Sequence, residues 1–412
     1  MTTALSEMTA VDSVENIVIF VSDALRRDFL PTGIAERGVT ATAIAPSTFT
    51  ASSLPSLTTG QYPATHGVWM FDNQLAETPP LLSASDQEVG FNAETVWTEL
   101  PAADKPPLQI NHVEKESKLE DLSPPFTYFV HDIGPHAPYG FTNEAFESTK
   151  EFFSDYENRR PQLADLYQED CHNSAQRFLE IYERLEQRDL LESTLMVFTS
   201  DHGQCLGEVE NGGRFGHGHP ICPENVEIPI VFMGAGLPTG RSYDQLLSGI
   251  DIAPTVLSAQ RDQIPSGIDG ASVWRSEPPV DRKPRTDVWQ HLDVEVAGLS
   301  KFLTVYAGTS VWNETGGHVF HRKSRAQRLL ALTYDNLFRG YGPAWRKNTS
   351  LRKLFYFASV ILSEHRTYGT PDFTVDMART FTPDDFSLSD DQPTTLLTDD
   401  QESQLQDLGY LQ

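Results

Sequence analysis

Three apolar runs in this chain end on residues that can hold a cation. "IVIFV" (17–21) is followed by Ser22 and Asp23, "FTYFV" (126–130) by His131 and Asp132, and "TLMVFT" (194–199) by Ser200, Asp201 and His202. Asp23, Asp201 and His202 make an oxygen-and-nitrogen donor set suited to Mn, Zn, Mg or Ca, with no thiolate cluster to favour structural zinc. A divalent metal held by so few side chains keeps open positions, where a hydroxyl nucleophile and a substrate oxygen can meet. The hydroxyls come from "PSTFTASSLPSLTTG" (46–60), in which Ser47, Thr48, Thr50, Ser52 and Ser53 are all candidates. An Asp after one strand is usually a cap or turn residue. Three strand ends that all carry Asp or His make that reading harder to hold.

The elements that must position these residues follow from the pattern of apolar runs. The three runs above and "IPIVFMG" (228–234) read as buried strands. Residues 151–188 read as two helices meeting near Pro161, and "DIAPTVLSA" (251–259) as another helix. Strands alternating with helices predict an α/β fold, a mostly parallel central sheet sandwiched by helices, with ligands bound beyond the carboxyl ends of the strands. The Pro-, Gly- and charge-rich stretch 261–287 marks an edge, and 301–321 holds short antiparallel strands with Gly316-Gly317 at a turn. The predicted organisation is an N-terminal tail (1–15), a catalytic domain (16–280) and a smaller C-terminal α+β subdomain with an acidic tail (281–412).

Composition limits the partners. The 412 residues carry 58 acidic against 31 basic side chains, a net charge of −27, which would repel nucleic acid. The acid is spread along the chain and fits a solvated, halophilic surface. Cys171, Cys205 and Cys222 are too few and odd in number for a disulfide framework. The first sixteen residues lack the basic and apolar regions of a signal peptide, and no apolar run approaches ~20 residues, so a cytoplasmic protein is expected.

The stretches "NIVIFVSDALRRDFL" (16–30), "TASSLPSLTTGQYPATHGV" (50–68), "HDIGPHAPY" (131–139), "TSDHGQCLGE" (199–208), "FGHGHP" (215–220), "VEIPIVFMG" (226–234), "GIDIAPTVL" (249–257) and the terminal "LGYL" occur in one order. As an ordered set they resemble the sulfatase-like branch of the alkaline phosphatase superfamily, over roughly residues 16–275. The resemblance implies a metal-dependent hydrolase or transferase of phosphate or sulfate esters. It places the nucleophile ten residues before Gly60, at Thr50, which joins Asp23, Asp201 and His202 at the metal. It also puts His136 near the leaving group and His217 against the substrate, with His219 and Ser53 as further substrate contacts. A helix starting near Ser52 or Ser53, with Pro55 in its first turn, would set Thr50 at a helix N-terminus that receives an anion. One ion is expected; Asp132 and His136 offer a D-x-x-x-H spacing for a second. Arg26 and Asp28 read as supports of the turn after the first strand.

The family's formylglycine pattern is not kept. Thr50, Ser52 and Leu54 stand where it has Cys or Ser, Pro and Arg. Threonine would give a ketone in place of the aldehyde, so a covalent Thr50 intermediate and a phosphodiester-type substrate are expected. The alternatives are a sulfuric ester hydrolase without formylglycine and a non-catalytic member that binds an anionic glycan or lipid. The substrate class is a small-molecule, glycan or lipid-linked anionic ester. Residues 321–366 are locally basic, with Arg346, Lys347, Arg352 and Lys353 beside the apolar run "LRKLFYFASVIL", so peripheral membrane contact through 346–362 is one expectation.

Overall fold

The computed structural model describes residues 3–11, 13–83, 87–93, 100–140, 148–261, 264–296, 299–338, 350–387 and 393–408. Arg346, Lys347 and residues 409–411 of the terminal motif lie outside them. Its centre is a sheet of seven strands: β1 Asn16–Ser22, β2 Val39–Ile44, β3 Glu88–Asn92, β4 Phe126–Asp132, β5 Thr194–Thr199, β8 Glu227–Gly234 and β9 Arg241–Ser248, in the order β3-β4-β1-β5-β8-β2-β9. A two-stranded ribbon, β6 Cys205–Leu206 and β7 Phe215–Gly216, stands apart. Pairings of β1 with β4 and β5, β3 with β4, and β2 with β9 are parallel, whereas β8 runs against both neighbours.

Alternation along each strand sends side chains into two separate cores. Ile17, Ile19 and Val21 face a core closed by helices α1 (Thr50–Thr59) and α4 (Ile252–Gln260). Val18 and Phe20 face a second core closed by α2 (Thr149–Tyr156) and α3 (Arg160–Gln187). Pro161 sits in the first turn of α3, where its missing N–H costs nothing, and the helix break near it is as expected.

The C-terminal part holds a four-stranded antiparallel sheet, β10 (Arg285–Val296), β11 (Leu299–Asn313), β12 (Gly316–His321) and β13 (His365–Gly369), with helices α5 (Arg325–Phe338) and α6 (Leu351–Leu362). Gly316 and Gly317 already belong to β12, so the turn falls on Glu314-Thr315 and not on the glycine pair. The segments expected as tails are packed against the main body. Leu5 donates its N–H to Val273 O at 3.0 Å, and Leu405 is fully buried in the first core.

Candidate functional site

The order β4-β1-β5 makes the three strand ends neighbours, with Ser22 level with Asp132 and Val21 level with both His131 and Thr199. Asp23, His131 and Asp201 are therefore delivered to one edge by three adjacent parallel strands. Their ligand atoms all lie within 4.8 Å of one another, and each residue is buried. His202 Nε2 stands 3.6 Å from Asp23 Oδ1 and 3.6 Å from Asp201 Oδ2. Two fully buried carboxylates this close need a positive charge between them. Asp201 Oδ2 makes no hydrogen bond, which leaves an oxygen ready for a cation. Oxygen and imidazole donors in this arrangement fit a divalent metal.

The strand-end turns are held from several sides. Asp23 N–H donates to Asp132 O at 2.9 Å, and Ala24 N–H to Asp201 Oδ1 at 3.2 Å. Tyr167 of α3 donates to Ala24 O at 2.6 Å and accepts from Arg26 N–H at 2.9 Å. Ala24 adopts φ 62°, a conformation costly for a residue with a Cβ, so these contacts hold strain at the site. Arg26 grips Asp28 through two bonds (2.8 and 2.7 Å) and Glu208 through a third (2.6 Å), tying this turn to the residues after β5. Gly134 has φ 53°, and a Cβ there would stand 2.6 Å from Asp23 O, so glycine lets the loop after β4 press onto β1.

Helix α1 follows β2, whose carboxyl end lies on the same edge. It starts two to three residues earlier than expected: Phe49 is the cap and Thr50 the first helical residue, which puts Pro55 inside the helix and not in its first turn. Thr50 Oγ1 lies 3.1 Å from His202 Nε2 and 3.4 Å from Asp23 Oδ2. The other candidate hydroxyls face elsewhere. Ser52 donates to Ser47 at 2.7 Å, Thr48 donates to Gly218 O, and Ser53 donates to Asp201 O at 2.6 Å. Ser53, expected as a substrate contact, is fully buried, and its hydroxyl ties α1 to the end of β5.

His136 and His217 meet with their Nε2 atoms 3.1 Å apart. His136 Nδ1 pairs with Ala137 O at 2.9 Å and His217 Nδ1 with Thr48 O at 3.2 Å. A carbonyl only accepts, so both Nδ1 atoms carry hydrogen and both Nε2 atoms present lone pairs. The two facing lone pairs leave a place for one proton between the rings. The His217 ring stacks on His202 at 4.4 Å, beside the carboxylates. His219 is turned away: its Nδ1 accompanies Gln290 Oε1 of β10, and its ring stacks on Tyr306 at 5.0 Å. The sequence offered it as a further substrate contact.

Asp132, offered by the sequence for a second ion, is engaged by helix α3. Arg177 of α3 clamps its two oxygens at 2.6 and 2.8 Å, and the Ser174 hydroxyl contacts Oδ2 at 2.6 Å. Oδ2 also accepts from Gly134 N–H at 3.0 Å, while His136 points to His217. His131, the next-to-last residue of β4, also reaches the cluster, although the sequence pattern left it out of the ligand set.

Charge within the site is divided unevenly. Burial pushes the Asp23 carboxyl up, but His136, His131 and His202 outweigh burial and hold it below the usual carboxylate range. Burial and then the Asp23 charge push Asp201 up. Burial alone would lower His131, yet its contact with Asp23 raises it. Burial, aided by His202, brings His136 down to about 4 against the pull of Asp23, and burial with His202 and His136 holds His217 well down.

A family model described as Sulfatase matches residues 112–260. Over 413 aligned residues, the whole of both chains, the protein is 40% identical to the low-salt glycan biosynthesis sulfotransferase Agl7 of Haloferax volcanii. Among solved structures, a 2-O GAG sulfatase superposes with a TM-score of 0.56 at 14% identity, over 75% of this chain and 83% of that one. The phosphonate monoester hydrolase of Agrobacterium radiobacter gives 0.53 at 16% identity, over 84% of this chain and 96% of that one. At these identities the structural likeness is one of fold. With the full-length relative beside it, the chain belongs to the sulfatase family of the alkaline phosphatase superfamily, enzymes acting on sulfate or phosphate esters.

Proposed function

We propose that this protein moves a sulfuryl group from a sulfate ester through a covalent Thr50 intermediate, with a glycan as the donor or acceptor. The observation that carries the reading is the position of Thr50 Oγ1, within 3.4 Å of Asp23 and 3.1 Å of His202 beside the ligand cluster. The name of the full-length relative, a glycan sulfotransferase, supports sulfur and a sugar alcohol. A divalent cation held by Asp23, His131, Asp201 and His202 supplies Lewis-acid polarisation of the ester and a lowered pKa for a nearby hydroxyl.

The chain's own residues do the rest. The Thr50 proton leaves toward Asp23 Oδ2, and Oγ1 bonds to sulfur as the ester oxygen departs. That oxygen takes the proton held between His136 and His217. An anionic ester beside the pair raises its proton affinity, offsetting the lowering by burial. Water or an alcohol then attacks sulfur, giving its proton back to the His136–His217 pair, and Thr50 leaves with the proton returned from Asp23. The N-terminus of α1, where Thr50 stands, favours the negative charge of the transferring group.

Phosphodiester cleavage is the second reading, favoured by the threonine that cannot become formylglycine. Purified metal-loaded protein, given an aryl sulfate, an aryl phosphodiester and an aryl phosphate side by side in high KCl, separates the two. Sulfate turnover, raised by an added sugar alcohol and lost in Thr50→Ala, supports sulfuryl transfer. Phosphodiester turnover alone supports the second reading. Stoichiometric metal with turnover of none means a binding protein.

A further inference from the structure

Of the ten exposed large apolar side chains among the described residues, six lie on the paired helices α5 and α6. They are Leu329, Leu330, Leu351, Leu354, Phe355 and Leu362, with Leu351 and Phe355 each 73% exposed. Isolated exposed leucines are ordinary; six on two packed helices form a patch that asks for a covering surface. On α6 the spacing is helical on both sides. Residues 351, 354, 355 and 362 share the outer face, while Tyr356, Val360 and Ile361 fill the inner one. The inner face is fixed: a Cβ on Gly212 would stand 2.5 Å from Tyr356, so α6 lies directly on the 209–213 turn. That turn leads into β7 and then His217.

Charge says what the outer face meets. In a chain of net −27, residues 321–362 hold nine Lys and Arg against one carboxylate, Asp335, with Arg328 and Lys353 buried. Arg325 and Arg352 are exposed on the two helices. Beside α6 runs a surface groove of about 370 Å³ lined by Arg352, Phe355, Tyr356, Ser359 and Arg366, with Glu210 on its wall. Arg366 is held there over the rings of Tyr356 (4.3 Å) and Tyr368 (4.9 Å), its planar head presented by stacking. A second copy of this chain would set this cationic segment against itself in a two-fold contact. No described helix is long and apolar enough to cross a bilayer, and α6 has 12 residues. A helix of that length spans only ~18 Å, short of a ~30 Å hydrocarbon core, so it would lie in the plane of the interface.

We propose that the outer face of α5 and α6 docks on an anionic lipid surface. The leucines and Phe355 enter the acyl boundary, and Arg352 and Arg366 bracket a lipid phosphate in the groove. The test is co-sedimentation of the full-length, metal-loaded protein with phosphatidylcholine vesicles, with and without phosphatidylglycerol, at moderate salt. The expected result is binding to the anionic vesicles only. Phe355→Glu with Leu351→Glu, and separately Arg352→Glu with Arg366→Glu, should each lower the partition by about tenfold or more. Turnover of a soluble aryl ester should stay unchanged in both variants, which separates failure here from failure of the esterase reading. Wild-type protein that ignores anionic vesicles, or variants that bind as well as wild type, would overturn the proposal. So would light scattering showing a dimer that Phe355→Glu dissociates, since a second copy would then own the face.

Discussion

Thr50 Oγ1, His131 and the His136–His217 pair each have one atom committed to a stated neighbour, so each makes a separate prediction. His131→Ala removes a nitrogen donor from a cluster whose ligand atoms lie within 4.8 Å, and metal affinity by calorimetry should fall at least about tenfold. His136→Ala removes one holder of the shared proton. It should slow an alkyl ester by about 10²-fold or more, and an aryl ester with an acidic leaving group far less. An equal loss on both esters would mean the pair does not protonate the leaving oxygen. Most of this was readable from residue types after apolar runs: Asp23, Asp201 and His202 were placed by that rule alone. The choice of Thr50 among five hydroxyls came from its spacing to Gly60 through the family resemblance; that Ser52, Ser53 and Thr48 are bonded elsewhere needed the fold. Asp132 was offered only as a possible ligand of a second ion. Its spacing to His136 suits a metal, but Arg177, forty-five residues away, already holds it.

The elements gather the site because parallel neighbours put their carboxyl ends on one edge. That much follows from hydrophobic runs, and β1, β4, β5 and β8 lie where the runs are. β2, β3 and β9 were missed, as "VTATAI", "EVGFN" and "RSYDQLLS" lack a continuous apolar run, and the reversed direction of β8 leaves no mark in local sequence. Helix α3 acts on the chemistry without touching it. Arg177 and Ser174 fix Asp132, and Asp132 O receives the Asp23 N–H, so Arg177 is a positioning residue. Arg177→Ala should loosen the ends of β1 and β4 together and lower both metal affinity and kcat, each by about tenfold, with KM little moved. Arg177→Lys, which cannot grip two oxygens at once, should restore only part of either. A change in melting temperature with metal affinity and kcat intact would make the clamp structural only.

At the scale of the whole molecule, acid should unfold this protein in a defined window. Burial brings His66 down to about 3, and its ring is engaged by Ser56 and by the N–H of Val68. Burial, with Arg328 and Arg366, brings His321 down to about 3. Both stay neutral in the fold, while the unfolded chain takes up their protons below about 6.5. Stability should therefore be full above pH ~6.5 and fall as pH drops toward 3. Urea midpoints across that range should show the fall, and His66→Gln should make it shallower; an unchanged slope would mean His66 is protonated in the native state. The net charge of −27 was visible in composition and the basic 321–362 segment in sequence, but its exposed apolar face needed the fold.

The most direct test of the central claim is peptide mapping of metal-loaded enzyme quenched during turnover of an aryl ester. The account predicts one sulfuryl or phosphoryl group on the peptide carrying Thr50, absent in Thr50→Ala, whose turnover should drop by on the order of 10³-fold or more. Turnover by Thr50→Ala at the wild-type rate, or the group found on Ser47, Thr48, Ser52 or Ser53, would contradict it.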